Sequence, residues 1–424
     1  MKADDSYTED AYNLIKDVIE KFGPRHTCSE AERKANLWIK ERFSEICDET
    51  HFEEFETHPD LYPQGVFKFA GFFGAIAIAF MFFGFPFSIF PSALMITALI
   101  IVYLELFLMK RWIKPFFKKG ISTNTFGLIK PKGEIKLRVV FEGHVDSAKQ
   151  MKIAEKERVS LTPLLLGILY LVMTIVLSFV KFFTYYPGSV QVPLAVAGPI
   201  HWTVIDWIYY PACCVLFPCF YKLISGFIGA TVVPGASDNL SGVAVAYAIG
   251  KYINKHKLEN VEVIIGSMGS EEIGDRGARY FVAQHGDLLE NAYAFIMDDI
   301  GSGNMFNIIT KDFHVHHPYS PEVIERIEKA YEMYKKEVPD VYPMSKRKIP
   351  FGSSDACMYL NAGYKAGWIA GALRIEGKSD KLAKPPTWHS TRDNIDHIKP
   401  DALKHCIGIG LKFLEIVDKE AREL

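Results

Sequence analysis

Two histidines and a group of carboxylates stand in five short clusters of this 424-residue chain. "GHVD" carries His144 and Asp146, "GASDNLSG" carries Asp238, and "SEEIGDRGARYF" places Glu271 beside Glu272. "IMDDIG" holds Asp298 and Asp299, and "PTWHSTRDNIDHI" supplies His389 and Asp393. His144 and Asp146 have the types of a metal ligand and its orienting carboxylate. Singly each cluster is weak. An Asp ahead of a helix is most often an N-cap that satisfies orphan backbone N–H groups, and paired glutamates in a loop are usually solvated. Jointly they offer mixed imidazole and carboxylate donors, which suit Zn²⁺, with Mn²⁺ or Co²⁺ as other occupants.

The elements that must position these groups alternate between strand and helix. "KLRVVFEG", "VEVIIGSMG" and "NAYAFIMDDIG" are short, apolar, β-branched runs ending in Gly or acidic residues. Buried parallel strands read this way, with functional loops at their C-terminal ends. "AERKANLWIKERFSEI", "SGVAVAYAIGKYINKH", "GARYFVAQHG", "SPEVIERIEKAYEMYKKE" and "KPDALKHCIGIGLKFLEIVDKEAREL" read as helices. The pattern predicts an α/β fold, a mostly parallel sheet sandwiched by helices. The start, "MKADDSYTEDAYNLIKDVIEKFG", is an acidic amphipathic helix without the marks of a signal peptide.

The rest of the composition points elsewhere. Hydrophobic residues make up 49% and Phe alone 31 positions, yet 23% of residues are charged. Four apolar stretches come in two pairs, about 66–83 with 92–109 and 161–180 with 204–224. Each approaches the ~20 residues that cross ~30 Å of hydrocarbon, so two transmembrane helical hairpins are expected. The fourth stretch is the weakest, holding Pro211, Pro218 and Asp206. The chain then divides into catalytic pieces 1–60, 119–150 and 231–424, interrupted by hairpins 61–118 and 151–230. Lys110, Arg111, Lys114, Lys118 and Lys119 follow the second stretch; Lys149, Lys152, Lys156 and Arg158 precede the third; Lys222 ends the fourth. The hairpin tips carry only Lys181. The positive-inside rule puts the tips outside and the catalytic domain and both termini in the cytoplasm of a multi-pass cell-membrane protein. Glu105, within the second stretch, is expected to reach water or pair with Arg111. A formal charge of −2 gives no reason to expect nucleic acid. Seven cysteines show no disulfide or zinc-finger spacing and read as reduced.

In order and spacing, "GHVDS", "GASDNLSGVA", "SEEIGDRGARYF", "FIMDDIG" and "WHSTRDNIDHI" resemble the co-catalytic zinc peptidases of family M28. That family includes leucyl aminopeptidases, glutamate carboxypeptidase II and glutaminyl cyclases. The resemblance implies the zinc-peptidase fold and two Zn²⁺ per chain. It implies His144 and Asp298 on one metal, Glu272 and His389 on the other, and Asp238 bridging both. Asp146 would hold the tautomer of His144, and Glu271 would be the general base on a metal-bridging water. Adjacent glutamates do not readily point at one metal, so one can ligate while the other transfers protons. Asp298 is favoured over Asp299 as ligand, and Asp393 is given to capping or support. The long separation of Asp146 from Asp238 departs from the family, as do Ala356 and Cys357, which stand where polar residues are more usual. "SKRK", 345–348, reads as a solvated loop or as a contact for a substrate carboxylate or lipid phosphate.

The expected function is a membrane-anchored dinuclear zinc hydrolase of amide bonds, an aminopeptidase acting on peptides at the cytoplasmic face. An amidase of N-acyl amino acids or other membrane-derived amides is the alternative, and a peptidase-like scaffold the non-enzyme one. Expected partners are a peptide or amide substrate and the lipid bilayer. The sequence leaves the oligomeric state open.

Overall fold

The computed structural model describes the chain except residues 84, 153–160, 185–194, 198–199, 228, 351, 375–381, 384 and 386. Lys156 and Arg158, two of the charges used above to orient the second pair of apolar stretches, lie outside the described residues. The chain divides into two compact units. One comprises Met1–Pro59, Lys119–Gln150 and Thr231–Leu424; the other comprises Asp60–Lys118 and Met151–Ala230.

The described strands in chain order are β1 (Glu49–Thr57), β2 (Gly120–Ile129), β3 (Leu137–His144), β4 (Ala195–Ala197), β5 (Ile200–Trp202), β6 (Val261–Met268), β7 (Ala292–Asp298), β8 (Met305–Lys311), β9 (Met344–Lys348), β10 (Lys365–Arg374) and β11 (Leu382–Ala383). The first unit is built on a nine-stranded sheet ordered β1-β2-β6-β3-β7-β10-β8-β9, with β11 beside β10. Only its centre, β6-β3-β7-β10, is a continuous parallel run. β1–β2, β2–β6, β10–β8 and β10–β11 are antiparallel, and β8–β9 is parallel. The expectation of a mostly parallel sheet is therefore corrected: the sheet is mixed. The three runs read from sequence are the fully or nearly fully buried central strands. Strands covered on both faces become continuously apolar, whereas flanking strands need not.

Helices flank this sheet. Asp5–Phe22, Ser241–Lys255 and Pro400–Glu423 pack on one another, the last two also against β3. β3 reaches the helix Ser241–Lys255 very closely. A Cβ at Gly143 would lie 2.5 Å from the Val243 nitrogen, and one at Gly242 would lie 2.3 Å from the Met297 carbonyl. Glycine at both positions lets the end of β3, the start of that helix and the end of β7 converge. That point is where the candidate site lies.

The second unit contains four apolar helices: Gln64–Phe80, Phe90–Val102 continued by a widened turn Tyr103–Phe107, Leu161–Thr184 and Val204–Gly226. By length and composition, 87–107, 165–184 and 204–226 could cross a membrane. Their mean hydropathies are 2.2, 2.3 and 1.4, the last being lowest, as its two prolines and Asp206 suggest. The first stretch, expected over 66–83, is a 17-residue helix instead. At 1.5 Å per residue that is about 25 Å, short of the hydrocarbon thickness. The second starts and ends earlier than the expected 92–109. Two charged residues of this unit are buried. Lys181, at a hairpin tip, is fully buried, its Nζ 2.8 Å from Asp206 Oδ1. Glu105 is buried, and its Oε1 accepts from the Ile113 backbone N–H at 3.0 Å.

Candidate metal centre

His144 is the last residue of β3, Asp298 the last of β7, and Glu271 and Glu272 follow β6 after a short turn. All four therefore stand at the C-terminal edge of the parallel centre, where side chains from neighbouring strands meet. Asp238 precedes the helix Ser241–Lys255, and His389 lies in the loop before Pro400–Glu423.

Two donor groups form there, with ligand-type atoms all within 4.8 Å of one another in each. One is His144, Asp238 and Asp298; the other is Asp238, Glu272 and His389. Asp238 is common to both. His144 Nε2 is 3.1 Å from Asp238 Oδ1, while His389 Nε2 is 3.2 Å from Asp238 Oδ2 and 3.2 Å from Glu272 Oε2. Each oxygen of Asp238 thus faces a different imidazole. Glu271 Oε2 lies 3.5 Å from His144 Nε2 and groups with His144 and Glu272. Asp299, by contrast, turns away and accepts from the Ser237 hydroxyl at 2.7 Å.

Supporting groups hold this arrangement through the backbone. Asp146 Oδ1 accepts from the Glu271 N–H at 3.0 Å, and Oδ2 accepts from the Glu272 N–H at 3.2 Å and the Thr27 hydroxyl at 2.9 Å. His144 Nδ1 lies nearer the Asp146 carbonyl, at 3.1 Å, than its carboxylate, at 3.6 Å. The expected carboxylate support of His144 is therefore supplied mainly by the main chain, leaving the carboxylate to fix the Glu–Glu turn. Asp393 accepts from the N–H groups of Ser237 and Asp238 at 2.7 and 3.2 Å. Sequence reasoning missed Arg25, which is buried and donates to the carbonyls of Gly23, Val145, Pro234 and Gly235. It pins the loops leading to Asp146 and Asp238 together. No periodicity or motif marks a lone Arg in "GPRHT", because its partners are carbonyls that only the folded chain assembles.

The donor set fits a bound cation. His144 Nε2 and Glu272 Oε1 are buried, and neither makes a hydrogen bond of good geometry among the described residues, a costly arrangement for polar atoms without a ligand. Charge points the same way. Burial opposes ionisation of Asp238, yet the two imidazoles hold it well below the usual carboxylate range. Burial, against the pull of His144, pushes the Asp298 carboxyl up to about 7. For His389, burial disfavours the cation, but Glu272 and Asp238 outweigh it and push it up to about 10. Burial raises Glu271 as well, reinforced by Asp275 and Glu272 and opposed by His144. Crowded carboxylates that retain protons are what a bound cation would relieve.

Residues 225–414 match the model of peptidase family M28. The match covers a little under half of the chain. The activity this match supports is that of a metallopeptidase, a hydrolase of amide bonds. Asp238, Glu271, Glu272, Asp298 and His389 all lie inside the matched segment, whereas His144 and Asp146 precede it. No curated protein matches the chain. Among solved structures it resembles a zinc aminopeptidase from Bacillus subtilis, at 13% identity and TM-score 0.53, with 97% of this chain and 95% of that one covered. A leucine aminopeptidase precursor from Bacteroides thetaiotaomicron aligns at 15% identity and TM-score 0.51, covering 97% of each chain. A glutaminyl cyclase from Porphyromonas gingivalis aligns at 12% identity and TM-score 0.53, covering 97% of this chain and 98% of that one. At such identities these M28-like structures bear on the fold alone.

Proposed function

We propose that the protein is a membrane-anchored dinuclear zinc aminopeptidase acting on peptides at the cytoplasmic face of the cell membrane. The observation that carries this reading is the sharing of Asp238 between two donor groups. His144 and Asp298 would complete one zinc site, Glu272 and His389 the other. When bound, the two Zn²⁺ ions supply Lewis acidity to the attacking water and the scissile carbonyl.

The chain's own residues do the rest. Glu271 stands beside both groups and is the general base: its Oε2 receives the proton of the attacking water and returns it to the departing amine. A base serving this role works best with its pKa near ambient pH, and burial beside Asp275 and Glu272 moves Glu271 upward from the ordinary carboxylate range. Asp146 fixes the Glu271–Glu272 turn through both backbone N–H groups, and Asp393 does the same for Asp238.

Anchoring is supported by three helices long and apolar enough to span a membrane, and by cationic residues at the junctions of the two units. The chain leaves the catalytic unit at Gln150, shortly after His144, and re-enters it at Thr231, shortly before Asp238. This connectivity favours one second reading, an amidase for acyl amides delivered from the bilayer.

The test is hydrolysis by detergent-purified protein of free-amine aminoacyl amides, the same amides N-blocked, and long-chain N-acyl amino acids. Cleavage of free-amine substrates alone is expected, and preference for the acyl substrates would replace the aminopeptidase with the amidase. Glu271→Gln should lower turnover by about 10²–10⁴-fold at unchanged zinc content. Equal rates for the two proteins would overturn the assignment of Glu271.

A further inference from the structure

A second set of metal-ligating side chains lies outside the five candidate ligands. Asp275, His314 and Cys357 are all buried, with their ligand-type atoms within 4.8 Å of one another. They come from three separate segments: the turn after β6, the loop after β8, and the first turn of the helix Ala356–Asn361. His314 Nδ1 is 3.9 Å from Asp275 Oδ2, and the Ser353 hydroxyl lies between them, 2.7 Å from the imidazole and 3.3 Å from the carboxylate.

Asp275 carries the strongest sign that something is missing. It occupies the residue before the helix Arg276–Gln284, where an Asp would ordinarily accept from the first-turn N–H groups, but its side chain makes no such bond. The residue is 1% exposed, and Oδ1 has no hydrogen-bond partner among the described residues. A buried carboxylate that gives up its cap and leaves one oxygen without a donor is unfavourable unless a cation faces it.

His314 is held firmly for a ligand. Its N–H donates to Asp312 Oδ1 at 3.0 Å, its carbonyl accepts from Asn361 Nδ2 at 3.1 Å, and Asp312 in turn takes the Tyr319 hydroxyl. Cys357 stands where the family resemblance leads one to expect a polar side chain. Burial pushes its thiol well above the ordinary range, with Asp275, Asp312 and Asp355 adding to the effect. Without a metal it is therefore an inert thiol.

We propose that Cys357, His314 and Asp275, with the Ser353 hydroxyl or a water as fourth donor, form a third metal site for a zinc-class divalent cation. One sulfur, one imidazole and one carboxylate are an ordinary tetrahedral zinc set. On binding, the Cys357 thiol loses its proton to solvent and the metal–sulfur bond forms, with no change of oxidation state. The site would clasp the turn that carries the general base, because the N–H groups of Gly274 and Asp275 both donate to the Glu271 carbonyl at 2.8 Å. Its occupancy would thus fix Glu271 without the ion touching substrate.

Cobalt substitution tests this on the full-length protein in detergent. After chelator treatment, Co²⁺ is titrated while bound metal and the absorption spectrum are recorded. The dinuclear candidates include no cysteine, so a thiolate-to-cobalt charge-transfer band in the near ultraviolet reports the third site alone, whether or not the dinuclear centre loads or turns over peptide. The expected result is that band in the wild type, saturating with one cobalt equivalent that Cys357→Ser lacks. His314→Ala, which keeps the thiol, should weaken that site's affinity. Saturation of the wild type without the band, or a band that persists in Cys357→Ser, would overturn the site.

Discussion

Lys181 and Asp206 in the apolar unit and His144 in the catalytic unit are fully buried, and the Glu272 side chain is nearly so. Their surroundings differ. Lys181 Nζ donates to both oxygens of Asp206, at 2.8 and 3.0 Å, and to the Met81 carbonyl; Asp206 Oδ2 also accepts from the N–H and hydroxyl of Thr203, each at 2.7 Å. In the catalytic unit, His144 Nε2 and Glu272 Oε1 are left without good hydrogen bonds. Burial alone does not separate a structural charge from a functional one. Completion does: a pair that satisfies its own donors and acceptors has no need of a ligand, whereas converging donors left unsatisfied are built around one.

Removing one partner of a buried ion pair typically costs about 3–5 kcal/mol, while replacing both with apolar residues of similar volume is near neutral. Lys181→Met should therefore destabilise the apolar helices in detergent by that order, and Lys181→Met with Asp206→Leu should regain most of it. Zinc content should be unchanged in both. The measurement is unfolding followed by helical signal together with metal analysis. Loss of zinc in Lys181→Met, or no loss of stability, would mean that completion fails as a criterion for the pair.

A smaller effect is expected from Asp393→Asn. Asp393 does not join either donor group; it accepts from the backbone of Ser237 and Asp238. Outer partners of metal ligands typically contribute about 10–100-fold in affinity. An amide keeps one acceptor oxygen, so zinc affinity should fall towards the lower end of that range with global stability little changed. Competition against a chromophoric chelator measures it. An unchanged affinity would make Asp393 a plain turn residue.

The two halves of the site were unequally legible. His144, Glu272 and Asp298 could be nominated from the chain because each follows a strand whose apolar pattern marks it, Asp238 because it adjoins a helix, and His389 through the resemblance of "WHSTRDNIDHI". β3, β6 and β7 could be read because both faces are covered and every position favours an apolar side chain. β1, "ETHFEEFET", is largely exposed along one edge of the sheet, and β9, "MSKRK", is exposed over its last three residues. Neither carries an apolar run to mark it as a strand, and "SKRK" proves to be part of β9 and no loop. Arg25, the unfilled cap of Asp275 and the backbone role of Asp146 were invisible for another reason. Each depends on which main-chain groups arrive from distant segments, and no local spacing encodes that.

A weaker effect is a pH dependence that only the catalytic unit's unsatisfied charges should show. In the metal-free protein, Asp298 is pushed up to about 7 and His389 up to about 10. Unfolded, these groups return to about 3.9 and 6.5. Between those values the native state holds the more protons, so unfolding free energy falls as pH rises. Asp298 contributes that fall from about pH 4 to 7, and His389 from about 6.5 to 10. The signs agree: chelator-treated protein should lose thermal stability steadily as pH is raised from 6 towards 9, at about 2–4 °C for each kcal/mol. Bound metal requires Asp298 and His389 already deprotonated, so the loaded protein should lack this slope. The same two groups must release protons before ligating, which makes zinc affinity rise over the interval in which metal-free stability falls. Thermal unfolding of both forms across that pH range checks the sign, and parallel slopes with and without zinc would show that these protons do not compete with the metal.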